Sequence, residues 1–202
     1  MARAAPACYI VAARAMVACL SGRLSSNVRP HTSSMSRLLL RKPQPTDLDS
    51  VIRIHCDPRT NHFNPAGPAT PQKASQMLDS WISHWDENGF GYWALSESER
   101  PDEVIGFGGT MRKAVAHLHG LNIYFRLAPE SWGNGYATEL AGAALKFAFD
   151  TLGATEVLGL VRPANMPSRR TLERVGFVQF ATVFDVPGDN PSLLYRVTSS
   201  AA

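Results

Sequence analysis

A chain of 202 residues with 45% hydrophobic and 18% charged side chains suits one globular domain plus an appendage. A domain of that size buries roughly 70% of its unfolded surface, so it needs neither disulfide nor metal to hold it. The formal charge of +3 hides a division: seven of the 20 basic residues and no acidic one precede Asp47, after which 13 basic residues face 17 acidic ones. A mildly acidic body without a Lys/Arg cluster argues against a nucleic-acid surface. Cys8 and Cys19 lie near the start and Cys56 stands alone in the body, which argues against a disulfide framework and a zinc site.

In chain order, residues 1–35 read as a leader, rich in Ala, Arg and Ser and free of acids. Its apolar run Ala4 to Ala13 is broken by Arg14 and is too short to span a bilayer, so no membrane role is expected. Three readings stay open: a mitochondrial transit peptide, a secretory signal, or an upstream start with Met35 opening a cytoplasmic protein. The domain proper is expected over residues 36–198. "RLLLRKP" predicts a strand ended by Pro43 and Pro45, and "TDLDSVIRIH" a helix capped by Thr46 or Asp47. "NHFNPAGPATP" is a loop. "QKASQMLDSWISHWDENG" sets Met77 or Leu78, Trp81 and Trp85 at helical spacing, the two tryptophans read as core in preference to lining an acceptor pocket.

Two strands, "FGYWALSES" and "EVIGFGGTMR", are expected to be joined by the polar turn "ESERPDE", and a third follows in "LHGLNIYFRLAP". A helix over Gly133–Leu152, the strand "ATEVLGLV", the helix "NMPSRRTLERVG" and two last strands around "FVQFATVF" and "SLLYRV" complete the pattern. "FDVPGDNPSLLYRV" is read as an edge strand that a partner copy pairs with, leaving monomer and homodimer both open. The mixture predicts a single α/β (mixed α+β) domain with helices covering one sheet.

"WGNGYATEL" carries the chemistry. A strand running into a Gly-rich turn and then a helix is an anion site, because unpaired N–H groups and the helix dipole both face the turn. Gly133 and Gly135 lack a Cβ and let a phosphate come within hydrogen-bond range. The turn is not a P-loop, since Gly-Tyr-Ala-Thr stands where Gly-Lys-Ser/Thr is required, and a dinucleotide fold would need a third glycine at Thr138.

"PESWGNGYATELAGAALKFAF" followed by "ANMPSRRTLERVGFV" resembles the GNAT superfamily of acyl-CoA N-acyltransferases, in the branch of RimJ/RimL-type N-acetyltransferases. The resemblance runs from about Ser36 to Val197, with one departure: Glu130 replaces the Gln or Arg common three residues before the first glycine. It implies a mixed, mostly antiparallel sheet of about seven strands, splayed at the cofactor site and flanked by about four helices. It implies acetyl-CoA as co-substrate, no metal, and an amine acceptor, either a protein N-terminal amino group or a small molecule. A non-catalytic acyl-CoA-binding module is the remaining alternative. Backbone groups of Phe125, Arg126 and Leu127 are then expected on the pantetheine arm, and the N–H groups of Trp132, Gly133, Asn134, Gly135, Tyr136 and Ala137 on the diphosphate. Asn165 is expected to reach the cofactor arm, although helix capping also explains it. Ser168 is expected near the sulfur, as a proton donor to the departing thiolate.

The amine must be neutral to attack, so a base within direct or one-water reach is sought. His117, His119, Tyr124 and Glu130 are the candidates, with Asp185 behind them, and His119 or Tyr124 is expected to line the acceptor side. Cys56 beside His55 is read as an inert buried thiol, because neighbours on a helix point about 100° apart.

Overall fold

The computed structural model describes residues 36–115, 118–186, 188 and 190–199; the leader and His117 lie outside them. In chain order the elements are β1 (Leu38–Arg41), α1 (Leu48–His55), α2 (Pro71–Asn88), β2 (Tyr92–Glu97), β3 (Arg100–Val115), β4 (Leu118–Leu127), α3 (Tyr136–Lys146), β5 (Glu156–Val161), α4 (Met166–Arg174), β6 (Val178–Val183) and β7 (Ser192–Thr198). The strands form one sheet in the order β1-β2-β3-β4-β5-β7-β6. Every neighbouring pair is antiparallel except β4 and β5.

That architecture is the expected one, with three differences in detail. β3 begins at Arg100, so the "RPDE" of the expected turn is strand instead; its charged side chains are exposed and tied as Arg100–Glu97 (2.7 Å) and Arg100–Glu103 (2.8 Å). α3 begins at Tyr136 and not at Gly133, and gives way after Lys146 to a π-helical stretch over Phe147–Thr151. At the C-terminal end of the sheet the edge strand is β6, not the expected one, because β7 inserts between β5 and β6.

The sheet divides the helices. On one face α3 packs over β3 and β4 and touches α4, which leans on β5. Leu121, Ile123, Leu140, Ala144, Val157 and Tyr195 fill this side. On the other face α1 and α2 pack on each other, with α1 against β3 and β4. Val51, Ile54, Leu78, Trp81, Tyr92 and Phe107 are buried there.

Two features of the sheet position the site. β3 carries Gly106 and Gly108 where β4 presses closest: a Cβ on Gly108 would lie 2.5 Å from the Tyr124 carbonyl oxygen and 2.7 Å from Leu140. A side chain there has no room, so β4 lies flush on β3 over the full register from Gly106↔Leu127 to Val115↔Leu118. The contact of β4 with β5 is the opposite case. It is limited to Leu121↔Val157 and Asn122↔Leu158, after which the two parallel strands diverge.

Candidate functional site

Among the described residues, the divergence leaves one edge of β4 without a strand partner from Ile123 to Leu127. Ala128 donates its N–H to Ile105 of β3 (2.8 Å). Backbone groups alternate sides along a strand, so Arg126 and Tyr124 also turn theirs toward β3, while Phe125 and Leu127 turn theirs into the gap. Of the three residues expected on a pantetheine arm, Phe125 and Leu127 thus present backbone groups, and Arg126 does not. The Arg126 side chain runs to the opposite face and hydrogen-bonds Asn61 Oδ1. The Leu127 carbonyl is partly engaged, accepting from Trp132 Nε1 at 3.0 Å.

Beyond β4 a short 3-10 turn (Pro129–Ser131) leads to the glycine turn. Gly133 and Gly135 both take left-handed conformations, φ +81° and +79°, which glycine adopts without the penalty other residues meet. Among the described residues, the N–H groups of Gly133, Asn134, Gly135, Tyr136 and Ala137 meet no hydrogen-bond acceptor. Five unpaired donors at the positive end of a helix are an anion cradle. Trp132 is not among them, since its N–H is bonded to the Pro129 carbonyl (3.2 Å).

Glu139, in the first turn of α3, does more than complement the dipole. Its carboxylate accepts from the N–H of Arg37 (2.9 Å) and of Leu38 (3.2 Å), and pairs with the Arg37 guanidinium at 3.0 Å. This ties the start of β1 to α3 and sets Arg37 5.0 Å over the Tyr136 ring, beside the turn.

On the same face, Asn165 caps α4: its Oδ1 accepts the Ser168 N–H at 3.2 Å. Ser168 is partly buried in the first turn of that helix. The other base candidates are scattered. His119 is exposed near the start of β4, paired with Ala114 and on the opposite side of the strand from Tyr124, so the two do not share a site. Glu130 is exposed and pairs with Arg59 at 3.0 Å; bonding to backbone and to that guanidinium holds its carboxyl below the usual range, where it is a poor base. Asp185 pairs with Arg162 at 3.4 Å.

Tyr124 lies where the faces communicate. A cleft of about 830 Å³ opens on the α1/α2 side of the gap, lined by Asn122, Ile123 and Tyr124 of β4, Leu160 of β5, and Val183 and Phe184 at the end of β6. Two of these lining residues also bond into the core: Asn122 donates to the Tyr92 hydroxyl (3.1 Å), and the Tyr124 hydroxyl meets His55 Nε2 at 2.9 Å. In the sequence His55 stands out only as a neighbour of Cys56. The signal was present in the helical stripe Val51, Ile54, His55, in which all three residues prove buried. Cys56 is partly buried and burial pushes its thiol pKa up, in keeping with an inert thiol. Trp81 is core, packed against His55, Phe107 and Tyr92.

The arrangement joins an anion cradle and a strand edge on one face to a cleft on the other. Among the described residues there is no group of three or more His, Cys, Asp or Glu side chains placed to hold a metal, and no helix is long and apolar enough to cross a membrane.

Comparison with known proteins points the same way. Residues 37–178 match the family model described as "Acetyltransferase (GNAT) domain". An uncharacterized N-acetyltransferase, YoaA, of Bacillus subtilis (strain 168) is 28% identical over 144 residues, which cover 70% of this chain and 79% of YoaA. FsC-acetyl coenzyme A-N(2)-transacetylase of Aspergillus fumigatus is 39% identical over 106 residues, 52% of this chain but only 41% of that protein. Among solved structures, spermidine N-acetyltransferase from Vibrio cholerae, in complex with CoA and spermine, superposes with a TM-score of 0.67 at 19% identity. That match covers 82% of this chain and 98% of the other, and it is a likeness of fold.

Proposed function

The chain belongs to the GNAT acetyltransferase family, and from that premise we propose that it moves an acetyl group from acetyl-CoA to an amine by direct attack, with the cofactor on the α3/α4 face and the amine entering from the α1/α2 face. The observation that carries this reading is the divergence of β4 and β5 after Asn122, flanked by open N–H groups on one side and the 830 Å³ cleft on the other.

The N–H groups of Gly133 to Ala137 hold the diphosphate, helped by the α3 dipole by about 0.3–1 kcal/mol. Phe125 and Leu127 offer the pantetheine amides a strand edge, which sets the thioester at the gap. Asn165 reaches toward the cofactor arm from the start of α4. The amine nitrogen attacks the thioester carbonyl carbon, the C–S bond breaks, and CoA leaves as thiolate. The surplus proton on nitrogen equals the one the sulfur needs, and in this reading the Ser168 hydroxyl relays it. Holding both reactants in line lowers the barrier by making the attack unimolecular.

The acceptor in this reading is a protein N-terminal amino group, in keeping with the RimJ/RimL-like motif pair. A small-molecule amine is the second reading, favoured by the relative named for N(2) transacetylation. The protein acts in the cytoplasm, or in mitochondria if residues 1–34 direct import. The test is calorimetric titration of the full chain with acetyl-CoA, followed by thiol release with N-terminal peptides and with polyamines. Binding with turnover on peptides is the expected result. Turnover on polyamines alone moves the assignment to the small-molecule reading, binding without turnover identifies a binding module, and no binding overturns the enzyme.

A further inference from the structure

His55 is a buried ionisable side chain to which the proposed chemistry assigns no part. It ends α1 with no exposed surface, enclosed by Trp81, Phe107 and Tyr124. Both ring nitrogens are engaged: Nδ1 lies 3.1 Å from the Val51 carbonyl oxygen and Nε2 lies 2.9 Å from the Tyr124 hydroxyl.

These partners fix the direction of each bond. A carbonyl oxygen only accepts, so Nδ1 carries the proton. A neutral imidazole then has only a lone pair at Nε2, and the Tyr124 hydroxyl must donate to it. Burial and the Arg126 charge push the imidazole pKa down to about 4, which keeps the ring neutral at physiological pH. With its hydrogen committed inward, the phenol oxygen has only lone pairs to offer whatever occupies the cleft that Tyr124 lines. The same histidine also anchors the loop bordering this region, because its backbone carbonyl accepts from Asn61 Nδ2 (2.9 Å) and from the Ala69 N–H (3.0 Å).

We propose that His55 is a positioning residue for acyl transfer: by taking the Tyr124 hydroxyl hydrogen at Nε2, it presents the phenol oxygen as a hydrogen-bond acceptor for an N–H of the attacking amine. The nitrogen lone pair is thereby turned toward the thioester. Tyr124 holds the amine and takes no proton from it; the surplus proton still travels from nitrogen to the leaving sulfur. This role rests on the acetyltransferase reading above and adds to it a reason for the orientation of the nucleophile.

The full chain, His55→Phe, His55→Gln and Tyr124→Phe are compared in acetyl-CoA-dependent thiol release. The amine probes are spermidine, an alanine-initiated tetrapeptide and hydroxylamine, and acetyl-CoA affinity is titrated on each protein. His55→Phe is expected to keep the acetyl-CoA Kd within about twofold and to lose about tenfold in kcat/KM for the amine, the scale of one oriented hydrogen bond. His55→Gln, whose side-chain carbonyl can accept the same hydroxyl, recovers most of that loss. Tyr124→Phe loses as much as His55→Phe, and it carries the test should His55→Phe fail to fold. Equal losses in the Phe and Gln variants at position 55, an undiminished rate in Tyr124→Phe, or acetyl-CoA affinity falling in step with rate would each overturn the proposal. So would a wild type that binds acetyl-CoA and releases no thiol with any probe. A wild type that binds no acetyl-CoA removes the acetyltransferase reading itself.

Discussion

Replacing Gly133 and Gly135 together by alanine separates folding from ligand binding at the turn before α3. Both residues sit at positive φ, where a Cβ costs about 1 kcal/mol or somewhat more per residue. Among the described residues no clash adds to this: a Cβ at 133 meets nothing within 4 Å, and one at 135 finds the Arg37 guanidinium at 3.7 Å. The double variant should therefore lose about 2 kcal/mol, a fall in Tm of roughly 4–8 °C for a domain of this size. Binding should suffer more. The methyl groups stand among five unpaired N–H donors, and losing two charge-assisted hydrogen bonds to phosphate is worth about 3 kcal/mol, or a hundredfold and more in Kd. Thermal unfolding and calorimetric titration with acetyl-CoA on the same preparations give both numbers. A Tm drop far beyond this range would mean that the turn is packed more tightly than its geometry shows. Affinity within tenfold of wild type would mean that the diphosphate is held elsewhere.

Gly108→Ala tests the flush contact of β4 on β3: with backbone only 2.5 Å from the new Cβ, the strand must shift, at about 3 kcal/mol by urea denaturation, and a loss under about 1 kcal/mol would refute the close approach. His55 makes stability depend on pH. Its folded pKa of about 4 lies below the ordinary 6.5, so between these values the unfolded chain binds a proton that the folded protein does not. Its contribution is thus complete above about pH 6.5 and fades as the pH falls through 4, by at most about 3 kcal/mol. Denaturation midpoints of wild type and His55→Gln should converge over that interval, and a constant difference would show that His55 does not titrate this way.

The parts of the site legible in the sequence are those whose reason is local. Gly133, Gly135, Asn165 and Pro167 announce a turn and two helix starts within a few residues of where they act. Period alone placed Trp81 in the core. What stayed hidden depends on partners far along the chain. His55 and Tyr124 are 69 residues apart and meet only because α1 crosses β4. Nothing near Glu139 in the chain signals its partner, the N–H of Arg37 at the start of β1, 102 residues earlier. β7 was read as an edge because chain order does not reveal that it inserts between β5 and β6. The Trp132 N–H, counted with the cradle, is consumed by a 3-10 turn that nothing in its own residue type signals.

The two-residue ladder between β4 and β5 also has a mechanical meaning. The sheet consists of two plates, β1–β4 and β5–β7, sharing two register positions along their common border. The chain crosses that border through α3, whose apolar face grips β3 and β4 and whose other contacts reach α4. The border has the fewest backbone rungs of any in the sheet, so what holds the plates together there is the side-chain core shared by Leu121, Ile123, Val157 and Tyr195. A ligand whose own amides lay along Phe125 and Leu127 would add an eighth, removable strand to that border.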